Sequence, residues 1–110
     1  MDGLGNVRIK GVSGKTYAFR AYPMDTKFEG FGAVYFITSR NSNPDGRISH
    51  SRIFCGQTRN ISVLPDNVQR TVCFTANHAN CICILPNADE DARIEIENDI
   101  HQNYRLLCNC

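Results

Sequence analysis

Apolar and polar residues alternate near the start of the chain. Val7-Arg8-Ile9-Lys10 alternates, Ser13-Gly14 offers a turn, and Tyr17-Ala18-Phe19-Arg20-Ala21-Tyr22 runs back, so a β-hairpin is predicted, with Pro23 ending it. Residues 31–38 are apolar on both faces, the pattern of a central, covered strand. Residues 39–51 are rich in Ser, Asn and Asp. Asn43-Pro44 and Asp45-Gly46 punctuate them strongly, and the whole stretch reads as a loop. Residues 52–56 read as a second central strand, antiparallel to the first. Pro65 is placed to open a helix whose buried face would use Val68, Val72, Phe74 and Ala76. Residues 80–85 form a third apolar strand, ended by Pro86.

The last segment carries the clearest helix signals. Asn87 can cap, and Glu90 three residues later completes a capping-box pattern. Asp89, Glu90 and Asp91 suit the positive end of the helix dipole. At about 100° per residue, Ala92, Ile96, Ile100 and Tyr104 share one stripe, with Ile94 at its margin. Glu97 falls inside that apolar arc, while Glu95 and Asp99 fall on the opposite, wet side. This order predicts one α+β domain over residues 1–110. Its core, residues 31–110, would be a small antiparallel three-stranded central sheet with flanking helices. Residues 1–30 would add an N-terminal hairpin extension.

Composition refines this picture in three ways. At 42% apolar and 21% charged, the chain is ordinary for a soluble globular domain with one modest core. No apolar run is long enough to span a bilayer, and residues 1–8 show no export signal, so a cytoplasmic protein without a membrane partner is expected. The charges are uneven: residues 1–86 carry ten Lys/Arg against five Asp/Glu, and residues 87–110 carry two against six. A basic body of this kind can meet a polyanion, although a solvated acidic helix also explains the second count.

The six cysteines sit in apolar runs such as Ile53-Phe54-Cys55, Val72-Cys73-Phe74 and Cys81-Ile82-Cys83-Ile84-Leu85. Reduced, buried cysteines behave in this way, as small hydrophobes. Cys81-x-Cys83 with Cys108-x-Cys110 could instead offer four thiolates to zinc. Gly11 to Thr16 contains a Ser-Gly-Lys-Thr run, but Ile9 stands where a phosphate-binding loop needs its first glycine, and a hairpin turn explains the run better.

A carboxylate on an apolar helix face, as expected for Glu97, is costly unless a metal ion or a neighbouring cation offsets it. Arg93 and His101 lie one turn to either side. Three segments bear on the choice: Gly32-Ala33-Val34-Tyr35-Phe36-Ile37-Thr38, then Ile53-Phe54-Cys55-Gly56-Gln57-Thr58, then Glu97 with Asn109. In that order, over residues 31–110, they resemble the GIY-YIG nuclease domain. The resemblance implies a divalent-metal-dependent endonuclease that hydrolyses DNA phosphodiesters. Glu97 would ligate one Mg²⁺ or Mn²⁺, and Tyr35 would sit beside the attacking water. An arginine would bridge the phosphate. Arg40, Arg47, His50, Arg52 and Asn109 are the candidate substrate contacts.

Two positions depart from the family pattern. Phe54 replaces a tyrosine, and Leu64 stands where the arginine is expected, so Arg59 or Arg70 would have to replace it. These departures keep a second reading open: a degenerate member that binds nucleic acid or a protein partner without cutting. Both nuclease roles require Tyr35 and Glu97 to converge on one pocket.

Overall fold

Residues 3–63 and 68–108 are described by the computed structural model, residues 68–70 by their backbone alone. Five strands and two helices follow in the order β1 (Gly5–Lys10), β2 (Thr16–Pro23), β3 (Ala33–Ser42), β4 (Ile48–Thr58), α1 (Val68–Ala76), β5 (Cys81–Pro86) and α2 (Glu90–His101). All strands join one antiparallel sheet with the spatial order β1-β2-β5-β3-β4.

This corrects the three-stranded sheet that the sequence suggests. Strand β2 pairs along β5 from Arg20↔Ile84 to Pro23↔Cys81, so the hairpin is part of the sheet and not an extension of it. The reason lies in β5. Its residues Cys81 to Ile84 are buried on both faces, and a strand of that kind cannot remain an edge with unpaired backbone groups. Hairpin β1–β2 supplies the missing neighbour.

Alternation sorts the side chains of the sheet into two layers. Val34 and Phe36 of β3 join Cys55, Cys81, Cys83, Phe19, Ala21 and Ile9 on one face, where Ile96 and Ile100 of α2 cover them. Ala33, Tyr35 and Ile37 join Ile53, Phe54, Ile82 and Ile84 on the other. Cys73 and Phe74 of α1 cover that second face, with Met24, Phe28 and Phe31 from the β2–β3 connection. α1 turns a different stripe inward from the one expected. Val72 is exposed, and Cys73 and Phe74 point at the sheet, Phe74 with its ring centroid 5.6 Å from that of Phe54.

The expected loop over residues 39–51 is mostly strand. β3 continues to Ser42 and β4 begins at Ile48, leaving a short turn in which Gly46 adopts φ +85° and the Asn43 amide donates to the Arg47 carbonyl at 2.7 Å. The pairing shifts register between Ile37 and Thr38, where the polar ribbon leaves the core. A ribbon that buries neither face carries no apolar alternation, and only its turn signals are legible in sequence.

Cys73 and Cys108 form a disulfide, which corrects the reading of all the cysteines as reduced. Cys55, Cys81 and Cys83 are free and buried. The link ties the C-terminal segment to α1, and the Cys108 amide also donates to the Ile53 carbonyl of β4 at 2.8 Å. Cys110 lies outside the described residues. Among the described residues, no helix is long and apolar enough to cross a membrane.

The helix α2 starts differently from its capping-box expectation. Asp89 is the N-cap and makes no side-chain cap, whereas Asn87 Oδ1 accepts from the Asp89 amide at 2.9 Å. Asp99 is solvent-accessible, as expected, but not merely solvated. It accepts from the Ser13 amide at 2.8 Å, the Ser13 hydroxyl at 2.6 Å and the Tyr17 hydroxyl at 2.6 Å, all on the β1–β2 hairpin. A Cβ at Gly11 would overlap its carboxylate. The hydroxyl of Tyr104 also accepts from the Lys10 amide at 3.2 Å. The hairpin is therefore stitched to α2 by polar contacts as well as by Ile9 and Phe19.

The stitch makes stability depend on pH. The hydrogen bonds from Ser13 and then Tyr17 hold the Asp99 carboxyl below its ordinary 3.8. Burial, then Asp99, pushes the Tyr17 phenol up to about 12. The Asp99 contribution is therefore present above pH 3.8 and is lost as pH falls through the lowered native value. The Tyr17 contribution is present below pH 10 and is lost as pH rises towards 12. Urea midpoints measured against pH should fall less steeply at the acid end in Asp99→Asn than in the wild type, and less steeply at the alkaline end in Tyr17→Phe; parallel curves would show that the stitch carries no such coupling. Separately, reducing the Cys73–Cys108 link, whose partners are 35 residues apart, should lower the unfolding free energy by about 4 kcal/mol. A shift of the urea midpoint too small for that would mean that backbone pairing to β4 alone holds the segment.

Candidate functional site

The two segments that carry the nuclease resemblance are neighbouring antiparallel strands, with Tyr35 opposite Gly56. The absence of a side chain at Gly56 makes room for a ring. A Cβ there would lie 2.6 Å from the Tyr35 hydroxyl and 2.9 Å from Phe54 Cε2. The Tyr35 and Phe54 ring centroids are 6.0 Å apart, and Tyr35 is 4% exposed. The phenol is thus wedged in an aromatic layer that continues to Phe74. A base that activates water must meet water, and this burial opposes that role.

Glu97 reaches the sheet from the other side. It is half-buried on α2, the helix over the first face. Its charge raises the Cys55 thiol, whose pKa is already raised more strongly by burial. The ring of Tyr35 and the helix that bears Glu97 therefore lie on opposite faces of the sheet. A common pocket would have to be reached round the edge of β4.

The cations flanking Glu97 in sequence have other partners. Arg93 is buried, and its Nε donates to Gln57 Oε1 at 3.0 Å and its Nη1 to the Asn87 carbonyl at 3.0 Å. His101 Nε2 meets the Cys55 carbonyl at 2.8 Å. Arg59 stands exposed just past β4. Arg70 lies in α1, but its side chain is outside the described set, as are Asn109 and Leu64.

Among the described residues, no group of three His, Cys, Asp or Glu ligands includes Glu97, where the resemblance implies a hard cation. Mg²⁺ and Mn²⁺ favour oxygen ligands. Among the described residues, the one group of three potential ligands is His50, Cys81 and Cys83, a soft nitrogen and sulfur set.

That group sits where the β3–β4 ribbon leaves the core. Thr38 pairs with Cys81 on one side and with Arg52 on the other, and Arg40 pairs with His50. Alternation puts Thr38, Arg40, His50 and Arg52 on the same face as Cys81 and Cys83. The Thr38 hydroxyl lies 2.8 Å from His50 Nδ1, and Thr38 acts to lower both thiols. The Cys81 thiol is lowered, first by its interaction with the Cys83 thiol, against burial, and then by Thr38 and the Arg40 charge. The same interaction, and burial, raise Cys83. His50 is lowered by burial first, then by the positive charges of Arg40 and Arg52.

The cations of the ribbon are differently held. Arg52 stacks over the Tyr104 ring at 4.4 Å. Arg40 exchanges backbone hydrogen bonds with the Asn80 side chain at 2.7 and 3.0 Å. Its Nε is buried without a hydrogen-bond partner among the described residues. Arg47 is at the tip, where its guanidinium makes an exposed contact to Asp45 at 3.5 Å.

Of the residues singled out in sequence, the fold brings Arg40, His50 and Arg52 together and separates Tyr35 from the Glu97 helix. The join between His50 and the Cys81-x-Cys83 pair is new. The i, i+2 spacing of the thiols on an apolar strand was its legible half. The expected partner pair, Cys108-x-Cys110, is excluded because Cys108 is in the disulfide. Comparison of the chain with protein-family models, curated proteins and solved structures finds no match to any of them.

The packing of Tyr35 over Gly56 has a measurable consequence. Gly56→Ala should destabilise the fold by about 1–3 kcal/mol through overpacking, read from urea unfolding. A neutral substitution would show that the Tyr35 ring can move out of its layer.

Proposed function

We propose that this chain is a nucleic-acid-binding domain that holds phosphate groups on the β3–β4 ribbon and does not cut them. The observation that carries this reading is the charge of the ribbon. Residues 39–52 contain three arginines and one acid, Asp45, which lies in the turn. Arg40, His50 and Arg52 share one face, and Arg47 extends the positive charge to the tip. Arg40 and Arg52 both lie near enough to His50 to disfavour its proton, after burial. Such a surface attracts a polyanion, and backbone contacts of this type position without reading sequence.

The resemblance to GIY-YIG nucleases is what brings nucleic acid into consideration ahead of other polyanions. Several features speak against cleavage. Tyr35 is buried, Phe54 has no hydroxyl, and Leu64 stands in sequence where the family's arginine is expected.

Anisotropy titrations of labelled single- and double-stranded DNA at several salt concentrations test the reading. Affinity should fall as salt rises, and the triple variant Arg40→Gln, Arg47→Gln, Arg52→Gln should reduce the salt slope by roughly two units. Salt-independent affinity, or an unchanged slope in the variant, would remove it. Incubation of plasmid DNA with Mg²⁺ or Mn²⁺ should leave it intact. Nicking that disappears in Glu97→Ala would restore the endonuclease reading.

A further inference from the structure

We propose that His50, Cys81 and Cys83 form a binding site for one thiophilic d¹⁰ cation, Zn²⁺ or Cu⁺. This inference does not depend on the ribbon binding nucleic acid.

The geometry carries it. Cys81 and Cys83 are i and i+2 on β5, so both sulfurs project from the same face of a strand paired on both sides. His50 belongs to β4, two strands away, and meets them across Thr38 of β3. One ligand atom from each of the three residues lies within 4.8 Å of the other two. Thiolates about 2.3 Å from a tetrahedral zinc are about 3.8 Å apart, so a contraction of roughly 1 Å suffices. Two sulfurs and an imidazole are the donors that zinc and cuprous ions prefer, and they suit magnesium, manganese and calcium poorly.

Cys55 is the internal comparison. It is free and buried on the same face of the sheet, yet it belongs to no such group, as expected for a cysteine that only fills space. Cys81 and Cys83 differ from it because a ring nitrogen and a buried hydroxyl are aimed at them. Thr38 is fully buried, and its hydroxyl lies 2.8 Å from His50 Nδ1 on the face of the sheet that carries both thiols. It is the oxygen in place to orient the ligands or to take a fourth position. His50 is half-buried and so gives the ion a way in from solvent.

Charge supports the same assignment. Binding displaces the thiol protons to solvent, two of them where both sulfurs start protonated. Two thiolates neutralise Zn²⁺, and with Cu⁺ they leave one negative charge beside Arg40, whose Nε is buried without a partner among the described residues. The bound ion would join β5 to β4 across β3 at the root of the ribbon that carries Arg40, Arg47 and Arg52.

The test uses the full chain with its Cys73–Cys108 link intact, under anaerobic conditions. Zn²⁺ and Cu⁺ are titrated separately against a competing chelator, and Co²⁺ serves as a spectroscopic probe. The expected result is one ion per chain for Zn²⁺, Cu⁺ or both, with a thiolate-to-cobalt charge-transfer band. The band should vanish in the double variant Cys81→Ala, Cys83→Ala and persist in Cys55→Ala. Thr38→Val preserves the shape of the side chain and should weaken binding by about tenfold or more. His50→Ala, a half-exposed change, should weaken it without unfolding the chain and keeps the test decisive if the cysteine variant does not fold. Failure of Zn²⁺ and Cu⁺ to bind at stoichiometric levels would overturn the proposal. So would binding that is indifferent to both His50→Ala and Thr38→Val, because the ion would then sit elsewhere.

Discussion

Strand β3 must be covered on both sides, and most of the molecule is arranged to do that. Five successive residues, Ala33 to Ile37, are at most 4% exposed. Burying each of the larger side chains contributes about 1.5–3 kcal/mol, so neither face can be left open. Helix α2 covers one face and α1 the other, and β4 and β5 take up the hydrogen bonds at the two edges of β3. β5 is covered in the same way, which makes the β1–β2 hairpin necessary to the sheet. The constraint ends at Thr38, the last fully buried residue of β3. Beyond it the strand runs out with Arg40 and Asn41 into a ribbon that covers nothing.

That transition decides what was legible in the sequence. Residues 31–38 and 80–85 read correctly as strands because short runs of successive apolar residues suit a strand covered on both faces. The hairpin and the acidic first turn of α2 read correctly because their signals are local, although the cap fell at Asp89 and not at Asn87. The docking of the hairpin on β5 did not, since the need belongs to β5 and the answer lies far earlier in the chain. The ribbon was hidden because strand pairing outside a core leaves no hydrophobic period. Asp99 looked solvated on a helical wheel, which shows only the helix and not the hairpin that reaches over it. The Cys73–Cys108 link was equally invisible, because an apolar setting suits a half-buried bridge as well as a free thiol.

The candidate sites divide along the same line. The nuclease-like letters are present, but letters that share a motif need not share a surface. Tyr35 occupies an inward position on a doubly covered strand and is held there by Phe54 and by the space above Gly56. Glu97 belongs to the helix over the opposite face. Period-2 alternation could have shown that Tyr35 and Phe36 face opposite ways, but not which face α2 would take. The polar residues of the ribbon were less conspicuous in sequence and are better placed for contact, because the tip is exposed.

Chemistry at the point where a strand leaves its core is governed by two opposing demands. Inside, a sulfur or hydroxyl is held in one position but cannot carry charge without a partner. Outside, a guanidinium is free to take an anion but is not positioned. Thr38, Cys81 and Cys83 satisfy the first demand, Arg47 the second, and His50 and Arg40 stand between them. An ion held by the thiols changes the charge beside Arg40 and Arg52, and a polyanion on the ribbon changes the field at His50. The two sites are then not independent, because Coulomb interactions across such short, poorly hydrated distances are weakly screened. A cation centre of net zero charge leaves the arginines available to phosphate, whereas one of net negative charge competes for Arg40. Under the two proposals together, the charge of the bound ion would contribute to how strongly the ribbon attracts a polyanion.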